Sequence, residues 1–429
     1  MKSFYIEFGI EEVPAVAGRL DVYVEGDEVS VKVRFGVLQD PRFFEKFVKK
    51  RDPIEVPYMM SRICGVCSVV HLLCSTMAVE KAMDIKPEEN SLKIREIAKG
   101  MEILQNNLVH VLMSIPDFTS TKNALDFSKK YPNIFSKIME LNARTLDIYR
   151  RVGGRFVHTP NIGAAFHGKP IYRYELEGIS KELSNLSEEL HSLTYELAEI
   201  WKPLAPGFKE PIPTYCVLQA NNGYPFFSEQ LLFSDGQVVS AEKYHETIEE
   251  LKIEYSNAHY TLYKGKPFYT GSRARLQAYS HLLTDRTREV VKLLKIDYDN
   301  PFENVKAQYA EAVQVTEVIA QIAAELAAKV KHSIKPFYLE RRKDCAGEGI
   351  AFATAPRGTL IHHYRIRDGK MDYANVITPT VMNARHVEVN GESLIRWLVS
   401  SGQTDEEEVK PLIAALLRAY DPCLPCAVH

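Results

Sequence analysis

Residues 62–71 read RICGVCSVVH, two cysteines in a C-x-x-C with an arginine before them and a histidine after. The last nine residues, 421–429, have nearly the same grammar: DPCLPCAVH. A C-x-x-C puts two thiolates within reach of one metal. Pairs that staple a small zinc domain usually lie about 15–20 residues apart. Here Cys64/Cys67 and Cys423/Cys426 stand near opposite ends of a 429-residue chain. A fold that unites them must carry its C-terminus back to the first pair. Such a closure favours a functional soft metal over a structural zinc knuckle or two unrelated redox pairs. Four thiolates are soft, anionic ligands suited to late transition metals. Arg62, His71, Asp421 and His429 flank them, and the arginine and histidines can tune the thiolates.

The chain between the pairs is mostly helical in pattern. Ile94, Ile97, Met101, Leu104, Leu108 and Leu112 fall on one face. Ile179, Leu183, Leu186, Leu190, Leu193, Leu197 and Trp201 form a second stripe. Val305, Tyr309, Ala312, Val315, Ile319, Ile322, Leu326 and Val330 form a third. Each stripe predicts one face of a bundle core. Near the start, Leu20, Val22 and Val24, then Val29, Val31, Val33 and Phe35, alternate around EGDE and predict a hairpin. Residues 341–380 read as short strands and loops. Thr404 with Glu407 offers a capping box for a helix ending near Tyr420. The expected fold class is therefore α+β, mainly α: a central bundle of long helices with small β elements from both ends. It is expected as one domain over residues 1–429. Residues 1–60 supply the hairpin and a first metal-binding segment, 61–335 the bundle, and 336–429 a β/loop region with the second cysteine motif.

Composition narrows the function. A net charge of −3 gives no electrostatic case for nucleic acid. No apolar run reaches the roughly 18 residues of a spanning helix. The opening MKSFYIEFGIEEVP lacks the apolar core of an export signal, so a cytoplasmic location is expected. Seven cysteines are too few for a disulfide scaffold, and four of them sit in the two pairs.

Together the two cysteine motifs resemble the paired motifs of the nickel–iron hydrogenase large subunit. The resemblance runs along the whole chain, through PRFFEKF (41–47), LVHVLMSIPDF (108–118), GGRFVHTP (153–160), APRGTL (355–360) and VITPTVMN (376–383). Their order and wording look most like the cytosolic, nucleotide-linked group. The resemblance implies reversible H2 oxidation and proton reduction, with H2 and protons as substrates, at a Ni–Fe centre whose iron carries carbon monoxide and cyanide. Cys64 and Cys423 would be terminal on nickel, Cys67 and Cys426 bridging. Arg357 and Thr380 would donate hydrogen bonds to the cyanides, with Pro379 shaping that pocket. Asp117 would orient Arg357, and His71 would hydrogen-bond a cysteine sulfur. Glu45 and His429 would bind Mg²⁺ (or Fe²⁺), with Gln308 and Glu317 as an outer shell.

The family's large subunit holds no iron–sulfur cluster, and Cys74, Cys216 and Cys345 form no cluster motif. An iron–sulfur small subunit is thus the expected partner. Flavin/iron–sulfur diaphorase-type subunits passing electrons to NAD(P), or to ferredoxin, would follow from the subgroup. In this family a short tail is removed after the final histidine once nickel is inserted, so an end at His429 is expected of the mature product. One position departs from the pattern: AVAG places Ala15 and Ala17 where an arginine and a proton-passing glutamate are expected, leaving Glu11 or Glu12 to take over. The rivals are an H2 sensor with the same metals, a complex I-like subunit that has lost its cysteines, and a zinc protein. The four intact cysteines argue against the second.

Overall fold

The computed structural model describes residues 18–20, 31–164, 166–220, 223–338, 345–403 and 406–429. Two short strands, β1 (Gly18–Leu20) and β2 (Phe35–Val37), pair antiparallel with Leu20 opposite Phe35. That is the framework of the expected hairpin; Val22, Val24 and Val29 lie outside the described residues. The helices that position the site are α1 (Phe44–Phe47), α2 (Ser68–Ala82), α3 (Glu89–Thr119), α4 (Pro132–Gly153), α5 (Arg173–Ile200), α6 (Asn304–Lys329), α7 (Pro379–Ser400), α8 (Glu406–Ala419) and α9 (Leu424–Ala427).

The three predicted stripes become α3, α5 and α6. Leu183, Leu186, Leu190, Leu193 and Leu197 of α5 are all buried, each worth about 1.5–3 kcal/mol of transfer free energy. Helix α6 packs against both α3 and α5. It is buried on nearly every face, so even its polar residues are inside. Glu311 is held there by Arg275, with Nε to Oε1 2.6 Å, and by Ser272 and Asn107. The approach of α3 to α6 needs a glycine: a Cβ on Gly100 would lie 2.3 Å from Ile319 Cγ2.

Four strands, β3 (Phe227–Ser228), β4 (Gly347–Ala355), β5 (Gly358–Arg367) and β6 (Lys370–Ile377), form an antiparallel sheet in the order β6-β5-β4-β3. The region expected as short strands and loops is thus a meander of long strands. Residues 350–355 are all buried, so the in–out alternation that announces a strand is missing. Helix α2, which follows the first cysteine pair, lies across β4. A Cβ on Gly349 would sit 2.0 Å from the Ala78 carbonyl oxygen, so only glycine admits this contact. The expected loop VITPTVMN is a second revision. Pro379 breaks nothing, because it stands at the first turn of α7, where its missing N–H is not needed. Helix α8 ends within a residue of its expected end; Thr404, its expected cap, lies outside the described residues. Asp421 then takes a left-handed conformation, φ 49°, which turns the chain and delivers Cys423.

Candidate metal centre

Cys64 follows a 3-10 turn in extended conformation, and Cys67 is the residue from which α2 starts. Cys423 stands in the same place before α9, with Cys426 inside that short helix. The fold brings the pairs together as expected. Cys64 Sγ lies 3.4 Å from Cys423 Sγ, and Cys67 Sγ 3.1 Å from Cys426 Sγ. All four sulfurs lie within 4.8 Å of one another, and all four residues are buried. These separations exceed a disulfide's roughly 2.05 Å and suit thiolates that share metal ions. Burial pushes the Cys67 and Cys426 thiols up. Hydrogen bonding from Cys423, then Cys426 and Cys67, holds the Cys64 thiol well below the usual range. Buried sulfurs of this kind cannot all ionise without cations among them, and the donor set fits a soft two-metal centre.

A small cavity beside the sulfurs is lined by Val70, His71, Arg357, Leu360, Pro379 and Thr380. Arg357 sits in the two-residue turn between β4 and β5, where Ala355 pairs with Gly358. Burial opposes its charge, but Asp421 and then the cysteine sulfurs outweigh that and raise it. Thr380 Oγ1 accepts a hydrogen bond from the Cys423 N–H at 2.9 Å, which leaves its own hydroxyl hydrogen free to donate.

The pairing expected at Arg357 is not that of the structure. Asp117 does not orient Arg357; both its carboxylate oxygens accept from Arg418, at 2.7 Å each. Arg357 is held by Asp421: Nη2 to Oδ1 is 3.0 Å, and Nε donates to the Asp421 carbonyl at 2.8 Å. The physical reason is the turn at Asp421, which points its carboxylate back at the hairpin, whereas Asp117 lies at the end of α3 beside Arg418 of α8. His71 lines the cavity with Cys67, Cys423 and Cys426, and its Nδ1 meets His362 Nε2 at 3.1 Å, which leaves Nε2 as the nitrogen for the expected sulfur bond. Burial pushes the His71 imidazole down to about 3.

Asn106 was not singled out by sequence. Its Oδ1 accepts from Arg357 at 3.2 Å, and its Nδ2 donates to the Val66 carbonyl between the first two cysteines, at 2.7 Å. It stands on α3, a helix whose stripe was read only as bundle core. Gln308, expected near the C-terminal ion, instead donates to Asp421 Oδ2 at 3.1 Å, and Glu317 pairs with Arg286 at 3.0 Å.

A second donor set forms at the C-terminus. Glu45 Oε1 lies 3.4 Å from His429 Nε2 and accepts from the Val376 N–H at 2.7 Å. Burial opposes the charge of His429, while Glu45 and the backbone of Cys426 and Val376 raise it. A cavity of about 240 Å³ opens beside them, lined also by Glu250, Asn257 and His259. A carboxylate, an imidazole and room for waters suit a hard divalent ion. Glu11, Glu12, Ala15 and Ala17 lie outside the described residues. Among the described residues, no helix is long and apolar enough to cross a membrane.

Comparison with known proteins agrees with this geometry. The family model described as nickel-dependent hydrogenase matches residues 42–172 and 224–429. The chain is 30% identical over 437 residues to the alpha subunit of sulfhydrogenase 1 from Pyrococcus furiosus, covering 100% of this chain and 99% of that one. It is 22% identical over 450 residues to the beta subunit of the NAD-reducing hydrogenase HoxS from Cupriavidus necator, covering 96% and 92%. The crystal structure of an NAD⁺-reducing [NiFe]-hydrogenase in its H2-reduced state superposes with a TM-score of 0.84, at 19% identity and full coverage of both chains.

Proposed function

The chain belongs to the nickel-dependent hydrogenase family and is a large subunit of that kind, and from this premise we propose how its residues serve the reaction. The observation that carries the proposal is the meeting of four buried cysteine sulfurs from opposite ends of the chain, within 4.8 Å. Cys64, Cys67, Cys423 and Cys426 would hold the nickel–iron centre, Cys64 and Cys423 as ligands of nickel alone and Cys67 and Cys426 as ligands shared with iron. Such a centre, with carbon monoxide and cyanide on iron, supplies the Lewis acidity and electron storage that split H2. The protein does the rest. The terminal thiolates keep lone pairs that can take up a proton. Arg357, held by Asp421 and Asn106, keeps a positive charge over the sulfurs, where it stabilises developing negative charge. Thr380 offers its hydroxyl hydrogen, and Pro379 and Leu360 keep the pocket apolar. Glu45 and His429 bind Mg²⁺ (or Fe²⁺) and pin the C-terminus.

No further cluster ligand set appears among the described residues. Electrons therefore leave through an iron–sulfur small subunit, then through diaphorase-type subunits to NAD(P), or to ferredoxin, in the cytoplasm. The likeness to a HoxS subunit supports the nucleotide branch. The test is H2-dependent reduction by the purified complex, first of a viologen dye, then of NAD⁺, NADP⁺ and ferredoxin. Dye reduction with no physiological acceptor would keep the enzyme and remove the proposed route. No turnover with intact metals would favour an H2 sensor.

A further inference from the structure

Arg42, in the segment PRFFEKF, is not a ligand in the proposal above, yet it joins the two cysteine motifs directly. Its Nη2 donates to the Ile63 carbonyl and to the Pro425 carbonyl, the latter at 2.5 Å. Its backbone N–H donates to the Val428 carbonyl at 2.8 Å. The three acceptors share one property: Ile63 precedes Cys64, Pro425 precedes Cys426, and Val428 precedes His429. Each carbonyl lies in the peptide plane from which a proposed metal ligand hangs. Fixing it therefore restricts the ψ of the residue before the ligand and the φ of the ligand itself. The guanidinium also rests 5.1 Å over the Phe44 ring, which holds it against the protein.

The local backbone is bent to make this arrangement. Phe43 adopts a left-handed conformation, φ 56°, at a cost of about 1–2 kcal/mol for a residue with a Cβ. That bend lets Arg42 face the cysteine loops while Glu45, in the first turn of α1, faces His429. One short segment thereby addresses both proposed metal sites.

We propose that Arg42 is a positioning residue that sets the spacing and orientation of Cys64, Cys426 and His429, and so the geometry offered to the metals. The inference rests on the metal-centre reading. Arginine suits the task because the two N–H groups of Nη2 are fixed in the guanidinium plane, one for each carbonyl, whereas the shorter lysine carries rotating donors on a compact ammonium.

The test compares Arg42→Met, Arg42→Lys and the control Arg51→Met in the whole complex. Arg51 also stacks on a phenylalanine of this segment, Phe47, and its backbone bonds to Val48 and Met371. Thermal unfolding and far-ultraviolet dichroism report folding; metal analysis and infrared spectroscopy of the iron ligands report the site. Loss of an outer-sphere partner typically costs about 10–100-fold in metal affinity or activity. The expectation is that folded Arg42→Met loses nickel or shows displaced, broadened infrared bands. Arg42→Lys should fold and give displaced bands at intermediate nickel content, and Arg51→Met should match the wild type. If Arg42→Met does not fold, the lysine variant decides on its bands alone. Bands and nickel in Arg42→Lys and in any folded Arg42→Met identical to those of the wild type would overturn the inference. Absence of nickel and of these bands from the wild type would overturn the metal reading instead.

Discussion

Beneath the first cysteine pair, Glu102 and Lys99 of α3 form an ion pair, Oε2 to Nζ 3.0 Å, with side chains 2% and 0% exposed. Glu102 also accepts from the Val69 and Val70 N–H groups at 2.8 and 3.0 Å, at the start of the helix that Cys67 begins. Burial pushes Glu102 up and Lys99 down, so each is the other's compensation. Replacing Glu102 by Met leaves the lysine buried without a partner, a loss of about 3–5 kcal/mol for breaking a buried pair. An unfolding entropy of about 2.1 cal/mol/K per residue makes roughly 0.9 kcal/mol/K for 429 residues. The melting midpoint of Glu102→Met should therefore fall by about 3–6 °C. The double variant Lys99→Met/Glu102→Met removes both charges at similar volume. It should melt above Glu102→Met alone, because both variants lose the acceptor of the Val69 and Val70 N–H groups and only the single variant also leaves the buried lysine uncompensated. The assay is a double-mutant cycle read by calorimetry. Effects that simply add, within about 0.5 kcal/mol, would refute the coupling and with it the reading of this pair as the support of Cys67.

Thr380→Ala removes the acceptor of the Cys423 N–H and should cost about 1 kcal/mol, a midpoint fall near 1 °C, while shifting the infrared bands of the iron ligands. An unshifted spectrum would leave Thr380 a purely structural residue. Mg²⁺ should raise the melting midpoint of the chelator-treated wild type and not that of Glu45→Gln, since only a native-state ligand stabilises by mass action. Equal gains in both would place the ion elsewhere. His362 and His386 are held neutral by burial, their imidazoles pushed below the ordinary range. Below the unfolded value near 6.5 the unfolded chain takes up protons that the folded chain refuses. Stability should therefore fall as pH drops below about 6.5, in calorimetry across that range; a rise on acidification would contradict the burial argument.

Much of this was legible in the sequence, for reasons that can be named. Amphipathic periodicity marked α3, α5 and α6 because each presents a continuous apolar face to the bundle. The cysteine pairs marked the centre because four soft ligands in two short motifs have few other uses. The meander of β4, β5 and β6 was less legible. Most of β4 and β5 is buried on both sides, so no alternation marks them. Side-chain partnership was least legible. Both Asp117 and Asp421 are plausible mates for Arg357, and nothing local says that α8 brings Arg418 to Asp117. The left-handed turn at Asp421 decides the matter, and it exists only in three dimensions. Asn106 and Arg42 escaped notice for the same reason: their roles lie in backbone carbonyls far away in sequence.

The central claim is that Cys64, Cys67, Cys423 and Cys426 hold a nickel–iron centre. Metal analysis of the purified complex, with infrared spectroscopy between the protein and water bands, tests it most directly. The account predicts nickel and iron in equal amounts in the large subunit, with carbon monoxide and cyanide stretches that disappear in Cys423→Ser. Zinc in the wild-type site, with no such stretches, would contradict it.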